Sequence, residues 1–321
     1  MQHLRNAGVL EDAKIYIRTE ESTTNLYVDV SDEKRMWMLF ALLSAIFAAI
    51  TSIFAKIGIR NIDSNLATAI RTIVVLAMAW LIVLIIGSFD EINQVSERTL
   101  VFLVLSGIST GASWLCYFRA IQMGNVNKVA PIDKSSTILT IILAFILLGE
   151  PFSAMTAVGM VVMFVGTMMM IEKKDVDETK TVRGSWLLYA VLSAIFAALT
   201  SILGKVGIED IESNLGTAIR TTVVLIMAWI VVFSQGSQTQ IRSINRHDGS
   251  FLVLSGLATG ASWLCFYKAL QDGPASLVVP IDKLSILFTI IFSVFVLHEN
   301  MSRKSWIGLI LLVLGTLLLL L

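Results

Sequence analysis

One apolar stretch occurs twice in this chain, as WMLFALLSAIFAAITSIFAK at residues 37–56 and as WLLYAVLSAIFAALTSILGK at residues 186–205. Continued as far as Trp80 and Trp229, the two copies are identical at 31 of 44 positions, with no gap. The same shift of 149 residues also aligns the later motifs SGISTGASWLC and SGLATGASWLC. The chain is therefore an internal duplication, and each stretch has the roughly 20 apolar residues that cross a bilayer as a helix.

The composition agrees with a membrane protein. Hydrophobic residues make up 56% of the chain and charged residues 15%, and the mean hydropathy is +0.80. Soluble domains carry about a quarter charged residues, so an ordinary soluble enzyme and a disordered chain are both excluded. Lys plus Arg and Asp plus Glu number 24 each, which gives no basic excess for a nucleic-acid partner. We expect no metal or other cofactor.

Polar breaks divide the chain after residue 35 into apolar segments of membrane-spanning length. Helices satisfy their own backbone hydrogen bonds inside lipid, so we predict an all-α, polytopic protein with ten transmembrane helices. The expected spans are 37–58, 65–87, 99–121, 126–148, 152–171, 186–207, 214–234, 250–271, 275–297 and 304–321.

These spans group into two five-helix units, at residues 36–171 and 186–321, joined by a polar linker at 172–185. A polar tail, residues 1–35, precedes them. Its weak apolar alternation would suit a small hairpin, but its many charges and terminal position favour a frayed tail.

An odd number of spans in each unit has a consequence for orientation. A chain that threads the membrane in order must insert the second unit upside down relative to the first. Inverted repeats are a recurring construction of secondary transporters, in which two opposed halves expose a midplane site to each side in turn. A duplicated channel or a structural bundle is the alternative, because the count alone does not distinguish them.

Charged residues lie inside the fourth span and, 149 positions later, inside the ninth. They are Asp133 with Lys134 and Asp282 with Lys283. A charge at the bilayer centre costs about 2.5 to 3.5 kcal/mol, so these side chains are expected to face protein or water. They are our candidates for a substrate or ion pathway.

A proline precedes each pair of charges, Pro131 in the fourth span and Pro280 in the ninth. Because proline has no N–H to donate to the preceding turn, each helix is expected to kink or unwind beside its charges. Broken spans at matching positions of two halves indicate a transporter's binding site.

Adjacent residues of a helix point about 100° apart, so an aspartate and the lysine next to it cannot face one partner. One division pairs Asp133 with Arg71 of the second span and turns Lys134 toward a central cavity. The second copy would repeat this division with Asp282, Arg220 and Lys283. The alternative is that the aspartate, lysine and arginine of each copy neutralise one another and serve only to fix the register between helices.

Aromatic pairs complete the candidate lining. Trp114 and Tyr117 stand three residues apart, and Trp263 and Tyr267 stand four apart, so each pair shares a helix face. They could stack on an organic substrate or hold a cation, but core packing or a position at the membrane interface is an equally good interpretation.

Three further features have simpler expected roles. Glu150, between Gly149 and Pro151, is expected in a tight turn, with an ion site as the alternative. Lys56 and its counterpart Lys205 are expected to snorkel to the membrane interface. Glycines at helical spacing are expected to let helices pack closely: Gly107, Gly111, Gly159 and Gly166, with Gly256, Gly260, Gly308 and Gly315 in the second copy.

The motifs resemble a known family. GASWLCYFRAI, PIDK, LLGEPF and a glycine-spaced helix follow one another between Gly111 and Gly166, and this order is similar to the EamA-type family of the drug/metabolite transporter superfamily. Residues 260–315 resemble it again, except that His298-Glu299-Asn300 replaces the GEP turn. The PIDK variant is similar to a subgroup of short bacterial membrane proteins that comprise a single such unit.

The resemblance implies a ten-helix carrier of small organic solutes, with a central cavity lined by the third and fourth helices of each half. We therefore expect a secondary transporter in the plasma or inner membrane, acting as an exporter of a metabolite or drug. Its expected partners are that substrate, the lipid bilayer and a coupling proton or ion. An enzyme is not expected, because the sequence contains no metal spacing, nucleophile elbow or phosphate loop.

Overall fold

The computed structural model describes residues 14–20, 23–29, 33–58, 62–123, 129, 132–170, 185–295 and 302–320. Strands β1 (Lys14–Glu20) and β2 (Thr23–Asp29) come first. The helices of the first copy are α1 (Glu33–Gly58), α2 (Ser64–Ile86), α3 (Glu97–Met123), α4 (Ser136–Leu148) and α5 (Ala154–Met170). Those of the second are α6 (Ser185–Gly207), α7 (Ser213–Gln235), α8 (Arg246–Asp272), α9 (Ala275–Lys283), α10 (Ser285–Phe295) and α11 (Arg303–Leu319). Short 3-10 helices, Ser88–Gln94 and Ser237–Ser243, follow α2 and α7.

The N-terminal tail contains a hairpin, so the expectation of a frayed tail was wrong. Strand β1 pairs antiparallel with β2, in a register that sets Tyr16 opposite Tyr27 and Ile17 opposite Leu26. Aromatic and β-branched residues favour strands even in a charged segment, which is the physical reason for the difference.

Seven of the described helices are long and apolar enough to cross a membrane. They begin at Met36, Ser64, Glu97, Trp186, Ser213, Arg246 and Ala275. Helix α5 is apolar but has only 17 residues. Helix α11 also has 17 residues, and α4, which lies in the fourth expected span, has 13. The prediction of an all-helical membrane-spanning region is confirmed for these seven spans, and the full count of ten goes beyond them.

The two halves interlock, so that much of the core lies between them. Helix α1 packs along α8, and its counterpart α6 packs along α3. Each half thus lays its first helix against the third helix of the other. Helix α5 packs against α11 in the same reciprocal way, and α2 packs against α7.

Helices α2 and α7 run antiparallel. The backbone N–H of Asp63, just before α2, donates to Gln240 Oε1 beyond the end of α7, at 2.9 Å. Ser88 Oγ, just after α2, donates to Glu212 Oε2 before the start of α7, at 3.3 Å. Equivalent points of the two copies therefore lie at opposite ends of this helix pair, which agrees with an inverted repeat.

The expected close approach at glycines is present between α5 and α11. A Cβ placed on Gly166 would lie 2.5 Å from the backbone nitrogen of Leu312 and 2.6 Å from the carbonyl oxygen of Gly308. Backbone therefore touches backbone here, an approach that only glycine permits. In lipid such contacts gain dispersion energy that apolar side chains alone do not provide.

Candidate functional site

Both charge-bearing spans are interrupted directly after the lysine. Pro280 lies inside α9, which ends at Lys283, and α10 resumes at Ser285. In the first copy, residues 132–134 are helical, Ser135 forms a turn, and α4 begins at Ser136. Pro131 lies outside the described residues. In the second copy the interruption sets Asp282 and Lys283 at the end of a half-helix, and in the first copy it comes one residue after Lys134.

Each aspartate is held by a serine of the opposite half. Ser193 Oγ of α6 donates to Asp133 Oδ1 at 2.9 Å, and Ser44 Oγ of α1 donates to Asp282 Oδ1 at 2.7 Å. Residues 44 and 193 occupy the same place in the two copies, as do 133 and 282. The two bonds are therefore one contact made twice, across an approximate two-fold axis.

Hydroxyl groups extend this reciprocal network along the paired helices. Four serines of the third helices each donate to a backbone carbonyl of the opposite first helix, at 2.7 to 3.0 Å. The bonds are Ser106 to Thr200, Ser113 to Ser193, Ser255 to Thr51 and Ser262 to Ser44. The serines of the SGxxTGAS motifs, of which only the glycines were expected to have a role, thus join the halves by hydrogen bonds.

The two arginines break the symmetry. Arg220 is buried, with 2% of its surface exposed. Its Nε donates to Ser106 Oγ at 2.9 Å and its Nη2 to Thr110 Oγ1 at 2.6 Å. Its guanidinium carbon lies 5.4 Å from the ring centre of Trp263 and 4.6 Å from that of Tyr267. The cation held by these rings is thus a residue of the protein itself.

Arg71, the counterpart of Arg220, is only half-buried. Its Nη1 donates to Ser255 Oγ, as the repeat would predict, but its Nη2 donates to Thr68 Oγ1 of its own helix, both at 3.2 Å. Thr259, which corresponds to Thr110, contacts Thr51 and the carbonyl of Ser255, just as Thr110 contacts Thr200 and the carbonyl of Ser106. The two halves therefore differ in which threonine the arginine bonds, Thr110 in one case and Thr68 in the other.

The expected arginine–aspartate pairs are not formed. Within the described residues, no ion pair joins Arg71 to Asp133 or Arg220 to Asp282. The prediction was wrong because the serines of the opposite half hold the carboxylates, while hydroxyls and ring faces hold the guanidiniums.

A cavity of about 320 Å³ lies between the halves. Six of the predicted site residues line it: Trp114, Arg220, Trp263, Tyr267, Asp282 and Lys283. Small residues of the two first helices, Ala48, Ala197 and Ser201, form part of the same wall. The third helices supply most of the remaining polar wall.

The other predicted residues lie outside this lining. Arg71 lines a smaller cavity of about 160 Å³, which it shares with Trp114. Tyr117 packs against an apolar cluster around Val129. Asp133 is half-buried, and Lys134 is exposed.

Phe266 is a lining residue that sequence analysis missed. It stands three residues after Trp263, as Tyr117 stands after Trp114. Phe266 is the residue that corresponds to Tyr117 in the repeat, so the shift of 149 residues predicts it, whereas Tyr267 was chosen as the nearest tyrosine.

Glu150 and Lys205 connect the elements at one end of the site. Gly149 ends α4 with a φ of +66°, so the expected tight turn is present. The buried carboxylate of Glu150 also reaches the other half, where it accepts from the N–H groups of Ala275 and Ser276 at 2.7 and 2.8 Å.

Lys205 Nζ donates to the carbonyls of Leu270 and Gly273 at 2.7 and 2.5 Å, so it caps α8 rather than snorkelling. The side chain of Lys56 lies outside the described residues.

Comparison with known proteins identifies both halves. A model described as the EamA-like transporter family matches residues 35–172 and again residues 184–321. An uncharacterized transporter from Sinorhizobium sp. is 42% identical over 134 residues, which cover 42% of this chain and 95% of that protein. That relative therefore corresponds in length to one of the two units.

Two matches extend over both units. An uncharacterized transporter from Archaeoglobus fulgidus is 22% identical over 284 residues, covering 88% of this chain and 98% of that protein. A solved crystal structure superimposes with a TM-score of 0.67 at 15% identity, covering 88% of this chain and 96% of the other. At that identity the structural match supports the fold alone.

Proposed function

We propose that this chain, which belongs to the EamA-like transporter family, is a secondary carrier that moves a small organic solute by alternating access. Family membership and relatives named as transporters indicate a membrane transporter rather than an enzyme. The proposal adds a mechanism, in which two inverted five-helix halves rock about the central cavity. It also adds a direction, export, and a location in the plasma or inner membrane.

The observation that supports this proposal is that Arg71 and Arg220, which occupy the same place in the two halves, make different contacts. Each arginine donates to a serine of the other half. Arg220 is buried and bonds in addition to Thr110 of that half, whereas Arg71 is half-buried and bonds in addition to Thr68 of its own helix. In an inverted repeat, exchanging the conformations of the two halves yields a second state of similar free energy that opens to the opposite side. The asymmetric contacts are therefore those expected of one of two such states.

The reciprocal Asp–Ser contacts suggest how a proton would couple to this exchange. A hydroxyl donates more strongly to a charged carboxylate than to a neutral one. Protonation of Asp133 or Asp282 would weaken its bond to Ser193 or Ser44 and loosen the contact between the halves. These carboxylates are accordingly our candidates for the coupling site.

Counterflow in proteoliposomes tests the carrier function. Vesicles loaded with a panel of unlabelled amino acids, sugars and organic acids are offered the labelled solutes. A carrier gives saturable uptake that is stimulated by the same solute on the other side. Unsaturated conductance that is indifferent to the internal solute would favour the channel alternative.

The double variant Asp133→Asn with Asp282→Asn tests the coupling site in the same vesicles. We expect it to lose counterflow while its thermal unfolding stays close to that of the unsubstituted protein, because asparagine can still accept from the serines. Asp90→Asn, which removes an exposed carboxylate from a 3-10 helix, is the matched control and is expected to transport normally. Full transport by the double variant would exclude the two carboxylates.

A further inference from the structure

The cavity wall carries more positive than negative charge. It contains two cations, Arg220 and Lys283, and one carboxylate, Asp282. Among the described residues, no ion pair joins these side chains, and Lys283 has no hydrogen-bond partner. Arg220 is buried, and a buried cation without a counter-charge is costly, so the wall is matched to an occupant that brings negative charge.

The charge of Arg220 is retained in full. Its Nε and Nη2 donate to the hydroxyls of Ser106 and Thr110, which solvate the guanidinium without neutralising it. Its Nη1 has no hydrogen-bond acceptor in the part of the chain that the structure describes. The field of this arginine therefore extends into the cavity that it lines.

The aromatic residues argue against a cationic occupant. Arg220 already lies over Trp263 and Tyr267, so a ligand cation would compete for those ring faces and be repelled by the guanidinium. Trp114 and Phe266 line the same cavity, and no cation of the described residues lies over either ring. The ring centre of Phe266 lies 5.3 Å from that of Tyr267, and the two lining rings, Trp114 and Phe266, form an aromatic wall that a planar group in the cavity would contact.

From this combination we propose that the transported solute is an organic anion with a planar aromatic ring. Its acidic group lies toward Lys283 and Arg220, and its ring packs against Trp114 and Phe266. A volume of about 320 Å³ is at the lower end of ligand pockets, which suits a molecule of one ring. This inference rests on the carrier function proposed above and specifies its substrate class.

Three probes with the same ring separate charge from shape. They are benzenesulfonate, which is anionic, benzenesulfonamide, which is neutral at pH 7, and phenyltrimethylammonium, which is cationic. Binding to the purified full-length protein is measured by calorimetry and by quenching of tryptophan fluorescence. We expect benzenesulfonate to bind at least tenfold more tightly than the other two. Equal or tighter binding of phenyltrimethylammonium or benzenesulfonamide would overturn the proposal.

Substitutions at Lys283 test the position of the acidic group. Lys283→Met, which keeps length but removes charge, is expected to weaken benzenesulfonate binding at least tenfold, and Lys283→Arg to preserve it. Lys268→Met removes a lysine that pairs with Asp272 on α8 and is the matched control, with affinity expected to be unchanged. Unchanged affinity in Lys283→Met would refute the assignment. If that variant fails to fold, the comparison of the three probes still decides.

Transport measurements distinguish this inference from the function on which it rests. Benzenesulfonate and the mixed solute panel are compared in counterflow with the same proteoliposomes. Exchange of neutral or cationic solutes without benzenesulfonate would overturn the substrate class and leave the carrier function standing. No exchange of any solute by correctly folded protein would contradict the carrier function itself.

Discussion

At the scale of single residues, the contrast between Arg220 and Arg71 is the most informative feature of the site. Both occupy the same place in the repeat, yet only Arg220 is enclosed by hydroxyls and two aromatic rings. The guanidinium's planar fork serves this geometry, because it donates in two directions and stacks at the same time. A lysine offers a single ammonium group and cannot do all three.

We predict that Arg220→Lys destabilises the protein more than Arg71→Lys does. Hydrogen bonds to charged groups are worth about 1.5 to 3 kcal/mol, and Arg220 stands to lose one such bond together with its stacking, so we expect a loss of about 2 kcal/mol or more. The bonds of Arg71 are longer and less buried, so its loss is expected to be smaller. Thermal unfolding of both purified variants in detergent measures the difference. Equal losses of stability would show that the asymmetry is not a property of the protein in solution.

The sequence indicated which spans carry charges, but not what these charges contact. Periodicity gives the direction of a side chain around its own helix, and six of the ten predicted pathway residues line one cavity. It does not say which helix stands opposite. Asp133 and Asp282 were therefore assigned to arginines of their own half, whereas their partners are Ser193 and Ser44 of the other.

At the scale of elements, the start of α9 depends on a residue from the other half. Its first N–H groups have no carbonyl within the helix, and the carboxylate of Glu150 accepts from those of Ala275 and Ser276. A negative charge at this end also interacts favourably with the helix dipole. The turn at Glu150 was predicted from Gly149 and Pro151, but this contact required knowledge of how the halves pack.

We predict that Glu150→Ala lowers the free energy of unfolding by about 1 to 2 kcal/mol, the usual cost of losing an N-terminal cap. Glu150→Gln keeps one acceptor oxygen and is expected to lie between the two. Thermal melts of the three proteins in one detergent give the order. An unchanged melt for Glu150→Ala would mean that water replaces the cap without cost.

The contact between α5 and α11 gives a second prediction at this scale. A methyl group at Gly166 would meet backbone atoms of α11 at 2.5 and 2.6 Å, so Gly166→Ala must push the helices apart and should cost about 1 to 3 kcal/mol. Gly249→Ala on α8 is the matched control, because the nearest atom lies 4.0 Å away. Alanine there should gain up to about 1 kcal/mol from helix propensity. Equal melting temperatures for the two variants would contradict the close packing.

At the scale of the whole molecule, the duplication could be predicted because the sequence still matches itself at a shift of 149 residues. Odd parity then predicted opposed halves, and the antiparallel arrangement of α2 and α7 agrees with it. The exchange of first helices between halves was not predictable, since hydropathy identifies spans and not their neighbours. The N-terminal hairpin was not expected either. The many charges of this segment favoured a frayed tail, and the alternation of apolar residues that indicates strands is weak.

Alternating access requires the two halves to be inserted in opposite orientations, and labelling of matched positions in the membrane tests this most directly. Asp90 and Thr239 are exposed and occupy the same place in the two 3-10 helices. Each is replaced by cysteine in a protein whose own Cys116 and Cys265 are changed to serine. Intact cells are treated with a membrane-impermeant maleimide. We predict that one cysteine reacts at once and the other only after permeabilisation, whereas reaction of both from the same side would contradict the inverted repeat and the carrier built on it.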